Sequence, residues 1–140
     1  MGSKGHRLLV KFNGNPPVEE GAIEEFRAAS KFHLPEEYLS FLRQTNGGEG
    51  SVGEGGAYAI FWKLEELNEL NDAYQVEEFA PGLFLFGSNG GGEAFAFDGR
   101  NEPGRIVKVP FVGMELDSVR LIAPNFDEFL EELSRPVRSQ

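Results

Sequence analysis

Apolar positions recur every three or four residues in some stretches of this chain and every second residue in others. From Val18 to about Phe32 the pattern is helical. Ile23, Phe26 and Ala29 or Ser30 share a face, while Glu19, Glu20, Glu24 and Glu25 load the N-terminal half, where acids suit the positive end of the helix dipole. A second helix is predicted from Pro35, a residue that loses no hydrogen bond at the first helical position. Tyr38, Phe41, Leu42 and Thr45 line its apolar side, and Asn46-Gly47-Gly48 reads as its stop. Ala57 to Trp62 alternates, with Tyr58, Ile60 and Trp62 on one face and Ala57, Ala59 and Phe61 on the other, which predicts a strand. Leu64, Leu67, Leu70 and Tyr74 predict a short third helix with Glu65, Glu66, Glu69 and Asp72 in water.

Further on, the period returns to two. Leu83 to Phe86 is a short apolar strand, Ser88 to Gly92 a turn, and Glu93 to Asp98 its partner, with Phe95 and Phe97 on one face. Ala94 and Ala96 fall on the other face and leave room for a helix or loop. Arg105 to Val109 reads as another strand, and Val119 to Ile122 as one more or a short extended segment. Phe126, Phe129, Leu130 and Leu133 follow the spacing of an amphipathic helix, with Asn125 as cap, Glu128 as its reciprocal partner and Pro136 beyond its end. Clustered strands with hairpin-length turns predict an α+β fold, a mostly antiparallel sheet packed with helices. We expect a lead-in over 1–17 with a candidate short strand at Leu8 to Phe12, a single domain over 18–135, and a tail over 136–140.

A chain of 140 residues with 40% hydrophobic residues and 13 phenylalanines can bury a core. It has no cysteine, which excludes disulfides, thiolate nucleophiles and cysteine-based metal sites. That usage suits a reducing compartment, and a cytoplasmic location is expected. No apolar run is long enough to span a membrane, and the N-terminus lacks the apolar core of a secretory signal. The net charge of −10 opposes binding to nucleic acid or anionic lipid and favours a basic partner, or serves solubility alone. Lys4, Arg7, Lys11, Arg135 and Arg138 are scattered, with no basic stripe.

Gly48 to Gly53 reads GEGSVG, the spacing of a dinucleotide-binding loop. That loop works when a strand enters it and a helix leaves, aiming free N–H groups at the pyrophosphate. Here a helix enters and a strand leaves, and Glu49 and Glu54 add negative charge. No Lys-Ser or Lys-Thr follows, so a P-loop fails too. Gly47 and Gly48 are expected to end the helix, and the rest to form a flexible lead-in to the strand. Gly90 to Gly92 serves a hairpin. His6 and His33 are the only histidines, and no zinc pattern or nucleophile elbow occurs. Asp98 and Glu102 flank a turn, with Glu93 across the hairpin. Asp98 before Gly99 reads as a turn residue that holds the backbone with its side chain. Neither a catalytic residue nor a cofactor or metal site is expected.

Three stretches together resemble the SMI1/KNR4 family, also called the SUKH superfamily: LPEEYLSFLRQTNGG (Leu34 to Gly48), LFLFGSNGGGEAFAFD (Leu83 to Asp98) and LIAPNFDEFLEEL (Leu121 to Leu133). The resemblance implies scaffold roles for Leu34, Pro35, Tyr38, Phe41, Gly47 and Gly48. It implies a non-enzymatic, protein-binding function. Bacterial members are often immunity proteins that neutralise toxins of polymorphic or contact-dependent systems, and fungal members are linked to cell-wall synthesis control. An immunity-type inhibitor is the leading expectation, a regulatory scaffold the alternative, and a small carboxylate-based ligand binder or enzyme the third. Candidate partner contacts are Glu49, Glu54, Trp62, Glu65, Glu66, Glu69 and Asp72, acids suited to a basic toxin domain beside the single tryptophan.

Overall fold

The computed structural model describes residues 13–53, 56–100 and 105–135. Among these residues seven strands form one antiparallel sheet whose spatial order follows the chain: β1 (Asn13–Gly14), β2 (Gly48–Ser51), β3 (Tyr58–Phe61), β4 (Leu83–Ser88), β5 (Glu93–Asp98), β6 (Ile106–Pro110) and β7 (Arg120–Ala123). The helices are α1 (Glu20–Ala29), α2 (Glu36–Leu42), α3 (Leu64–Ala73), the single-turn α4 (Val76–Phe79) and α5 (Phe126–Ser134), with a 3-10 turn at Leu116–Ser118. The strand predicted at Leu8 to Phe12 lies outside the described residues.

The alternation in β5 divides the core in two. Phe95 and Phe97 join Phe61, Phe84 and Phe86 on one face, where α1, α2 and α5 deliver Ile23, Phe26, Tyr38, Phe41, Phe126 and Phe129. Ala94 and Ala96 sit on the other face under Val76, Ala80 and Met114, so the two small residues do admit a short helix and a loop. Tyr38 is the hub of the first face, with ring centroids of Phe86, Phe97 and Phe126 5.1 to 5.3 Å away. Leu34 packs partly buried against the same cluster, and Pro35 caps α2. Asn125 caps α5 by accepting from the Glu128 backbone N–H at 2.9 Å, and its amide donates to the Glu128 carboxylate at 3.1 Å.

Four local readings change. α1 is shorter than predicted and ends at Ala29, which is exposed. α2 ends at Leu42 with Arg43 as its cap, before the glycines. Gly47 serves a close crossing instead. At φ +73° it passes so near β3 that a Cβ would collide with the carbonyl oxygens of Phe61 and Trp62. Gly48 to Ser51 is no loose lead-in but β2 itself, paired Gly48 to Phe61 and Ser51 to Tyr58. The glycine-rich run therefore joins two strands of a hairpin, with Val52 fully buried beside it.

α3 is also rotated from its apolar pattern. Leu64, Leu67 and Asn71 are buried, whereas Leu70 is half-buried and Tyr74 is 41% exposed. The cause lies in β4. Strand β3 pairs with it at Ile60 to Ser88 and Phe61 to Gly87, and Trp62 N–H reaches Phe86 O at 3.0 Å. Beyond that point Asn71 takes over the edge, accepting from Leu85 N–H at 2.8 Å and donating to Leu85 O at 3.0 Å. A buried polar side chain is tolerated because it meets backbone groups that would otherwise go unpaired.

Candidate functional site

The expected acidic contacts fall in two places. Glu49 rides on β2 opposite Ile60. Its carboxylate accepts from the Tyr58 hydroxyl at 2.6 Å, and that bond is the main reason the Tyr58 phenol is pushed up. A groove of about 490 Å³ opens here, with Glu49, Ile60, Trp62, Lys63 and Glu66 along its walls. Glu49, Trp62 and Glu66 are thus brought together; Glu54 lies outside the described residues.

The remaining acids sit on α3, whose start is held by two side chains. Glu66 accepts from the Lys63 backbone N–H at 3.0 Å. Asn46 accepts from Leu64 N–H at 2.8 Å and donates to Glu65 at 2.9 Å. The amide of Asn46 is the largest influence lowering the Glu65 carboxyl. So Glu65 and Glu66 fix the helix start before they can do anything else. Glu69 and Asp72 are exposed, and neither side chain has a hydrogen bond or ion pair within the described residues. Asp72 instead borders a groove of about 650 Å³ between the end of α1, α3 and β4.

Trp62 links the two places. It is half-buried, packs against both core clusters, and lies nearly parallel to the Tyr74 ring. The apolar spacing assigns Tyr74 to the α3 core face and gives no hint of Phe111 and Val112. One signal is present in the sequence: from Leu64 to Gly99 the chain has no Lys, Arg or His.

The acids weighed for chemistry do not converge. Glu93 opens β5 and Asp98 closes it, about 17 Å apart along an extended strand. Glu93 accepts from Asn89 at 3.0 Å and lies 3.5 Å from Lys108. Asp98 is fully buried and accepts from the Arg100 backbone N–H at 3.0 Å and from its guanidinium at 2.9 and 3.0 Å. It holds the turn as expected, with a guanidinium pair that the sequence pattern does not reveal. Glu102 and His6 lie outside the described residues, and His33 is exposed between α1 and α2. Among the described residues no three acidic or histidine side chains are placed to hold a metal ion, and no helix is long and apolar enough to cross a membrane.

The model of the SMI1 / KNR4 family (SUKH-1) matches residues 17–132, and the chain belongs to that family. No curated protein matches it.

Proposed function

We propose that this member of the SMI1/KNR4 family is a non-enzymatic protein-binding module, an immunity-type protein that neutralises a toxin of a polymorphic or contact-dependent system. The observation that carries the reading is one-sided charge on a family scaffold. The chain has a net charge of −10, and Glu66 of α3 meets Glu49 and Trp62 in one groove, with Lys63 as the basic residue on its wall. Many toxins that act on nucleic acid carry basic clefts, and an acidic domain can occupy such a cleft and be drawn to it over long range. Glu49, Trp62, Glu69 and Asp72 are the described contacts offered first; Glu65 and Glu66 contribute charge while they hold the α3 start. The reading places the protein in the cytoplasm of the cell it protects, where a chain without cysteine forgoes no disulfide.

The test is a pull-down from the source organism at low salt, followed by mass spectrometry and a salt titration of each hit. A basic toxin domain released as salt rises is the expected result, and co-expression should then restore growth of cells carrying the toxin. Recovery of wall-synthesis or signalling proteins alone transfers the assignment to the regulatory-scaffold reading. Binding that ignores salt removes the electrostatic argument.

A further inference from the structure

Trp62, Tyr74 and Phe111 come from three separate parts of the chain and meet beside the second core cluster. Their ring centroids lie 6.2 Å apart for Trp62 and Tyr74, 4.8 Å for Tyr74 and Phe111, and 6.5 Å for Trp62 and Phe111. Tyr74 is 41% exposed and Val112, next to Phe111, is 92% exposed. The turn that carries Val112 is held on both sides. Phe111 N–H donates to Gly92 O at 3.0 Å, Met114 is buried, and Gly113 supplies the φ of +75° that the turn requires. A valine is therefore presented to water beside aromatic rings.

Acids outnumber cations on the elements that frame these rings, and Lys63, next to Trp62 at the start of α3, is the exposed exception. α3 brings Glu69, with Asp72 on its side toward the α1 groove, and the segment after Val112 brings Glu115 and Asp117, all exposed. No Lys, Arg or His occurs from Leu64 to Gly99 or from Val109 to Val119. An exposed aromatic surface within an acidic field matches a cation with a flat, weakly hydrated face. A second copy of this chain fits poorly, because a two-fold contact would set the same acids against each other.

We propose that this face docks a segment of a partner protein that presents arginine beside an apolar side chain. The inference rests on the protein-binding reading and names the chemistry of what is bound. The guanidinium lies on the Trp62, Tyr74 and Phe111 rings, the apolar neighbour covers Val112, and the surrounding acids draw the segment in.

Trp62 is the only tryptophan, so its emission reports on the face directly. The probe is a short capped peptide alternating leucine and arginine, titrated at low salt against the whole chain. We expect a saturable change in emission, about threefold weaker binding for the matching lysine peptide, and binding at least about tenfold weaker in Val112→Arg. Val112 makes no core contact, so that variant keeps the fold; Tyr74→Ala is the second variant and should weaken binding likewise. No emission change, equal binding of both peptides, or unchanged binding by Val112→Arg overturns the proposal. So does a concentration-dependent dimer in sedimentation that Val112→Arg abolishes, which would assign the face to a second copy. Capture of a basic toxin equally by the wild type and Val112→Arg also overturns this surface while leaving the toxin reading intact. Arginine-peptide binding lost in Val112→Arg, with no toxin captured, upholds the surface and rejects the toxin.

Discussion

Asp98 is the one acid among the described residues whose side chain is fully buried, and its pairing with Arg100 decides how the turn responds to pH. The guanidinium is the first cause holding this carboxyl below its ordinary 3.8. On acidification the unfolded chain therefore takes up the proton before the folded one. The stabilisation is whole above that ordinary value and is lost as pH falls below it, through the lowered folded value. Asp98→Asn removes the charge and should cost about 1–3 kcal/mol at neutral pH, within the range for hydrogen bonds to charged groups. Its urea stability should then fall less steeply than wild type as pH drops from 5 to about 2; a parallel fall would mean the pair is not responsible. Tyr38 predicts the opposite sign. Its hydroxyl is buried among Phe rings with no hydrogen-bond partner among the described residues, and burial drives the phenol far above its ordinary range. Tyr38→Phe keeps the ring contacts and removes an unpaired polar atom, so it should raise stability by about 1–2 kcal/mol in urea unfolding. A loss of stability would reveal a partner for that hydroxyl.

At the scale of elements, what could be read in advance depended on whether the pattern was local. The alternation of Phe95 and Phe97 with Ala94 and Ala96 foretold two faces, and Asn125 with Glu128 foretold the start of α5, because each signal lies within its own element. Gly48 to Ser51 has no apolar alternation; it is a strand because β3 pairs with it. Asn71 was unreadable for the same reason, since its partner is the open edge of β4. Asn71→Leu strands a buried N–H and a buried carbonyl of Leu85, at about 1–3 kcal/mol each. A total loss of at least about 2 kcal/mol is expected, together with faster hydrogen exchange at the Leu85 amide. Slow exchange at Leu85 in that variant would show that another group covers the edge. Gly47→Ala tests the crossing beneath β3: strain at positive φ and collision with two carbonyls should lower stability by more than about 1 kcal/mol. A neutral outcome would contradict the close approach.

Across the whole molecule, the scaffold was largely legible, whereas the surface proposed for docking was not. Tyr74, Phe111 and Val112 are distant in sequence and become neighbours only when α3 rotates and the turn after β6 is anchored. The charge asymmetry, by contrast, is written in the chain as a cation-free run. It leads to a prediction that separates a local field from net charge. Association of a basic partner, followed through Trp62 emission in stopped flow, should slow as ionic strength rises, because screening shortens to about 8 Å at physiological salt. Reversing Glu69 and Asp72 to lysine should slow association about tenfold and leave dissociation nearly unchanged. Reversing Glu19 and Glu25 alters net charge by the same amount, but Glu25 lies on α1 and Glu19 just before it, and neither carries a ring of the Trp62 face. That variant should bind at close to the wild-type rate. Equal slowing by both variants would mean that the partner senses only the overall charge, and that the acids around the Trp62 face have no directing role.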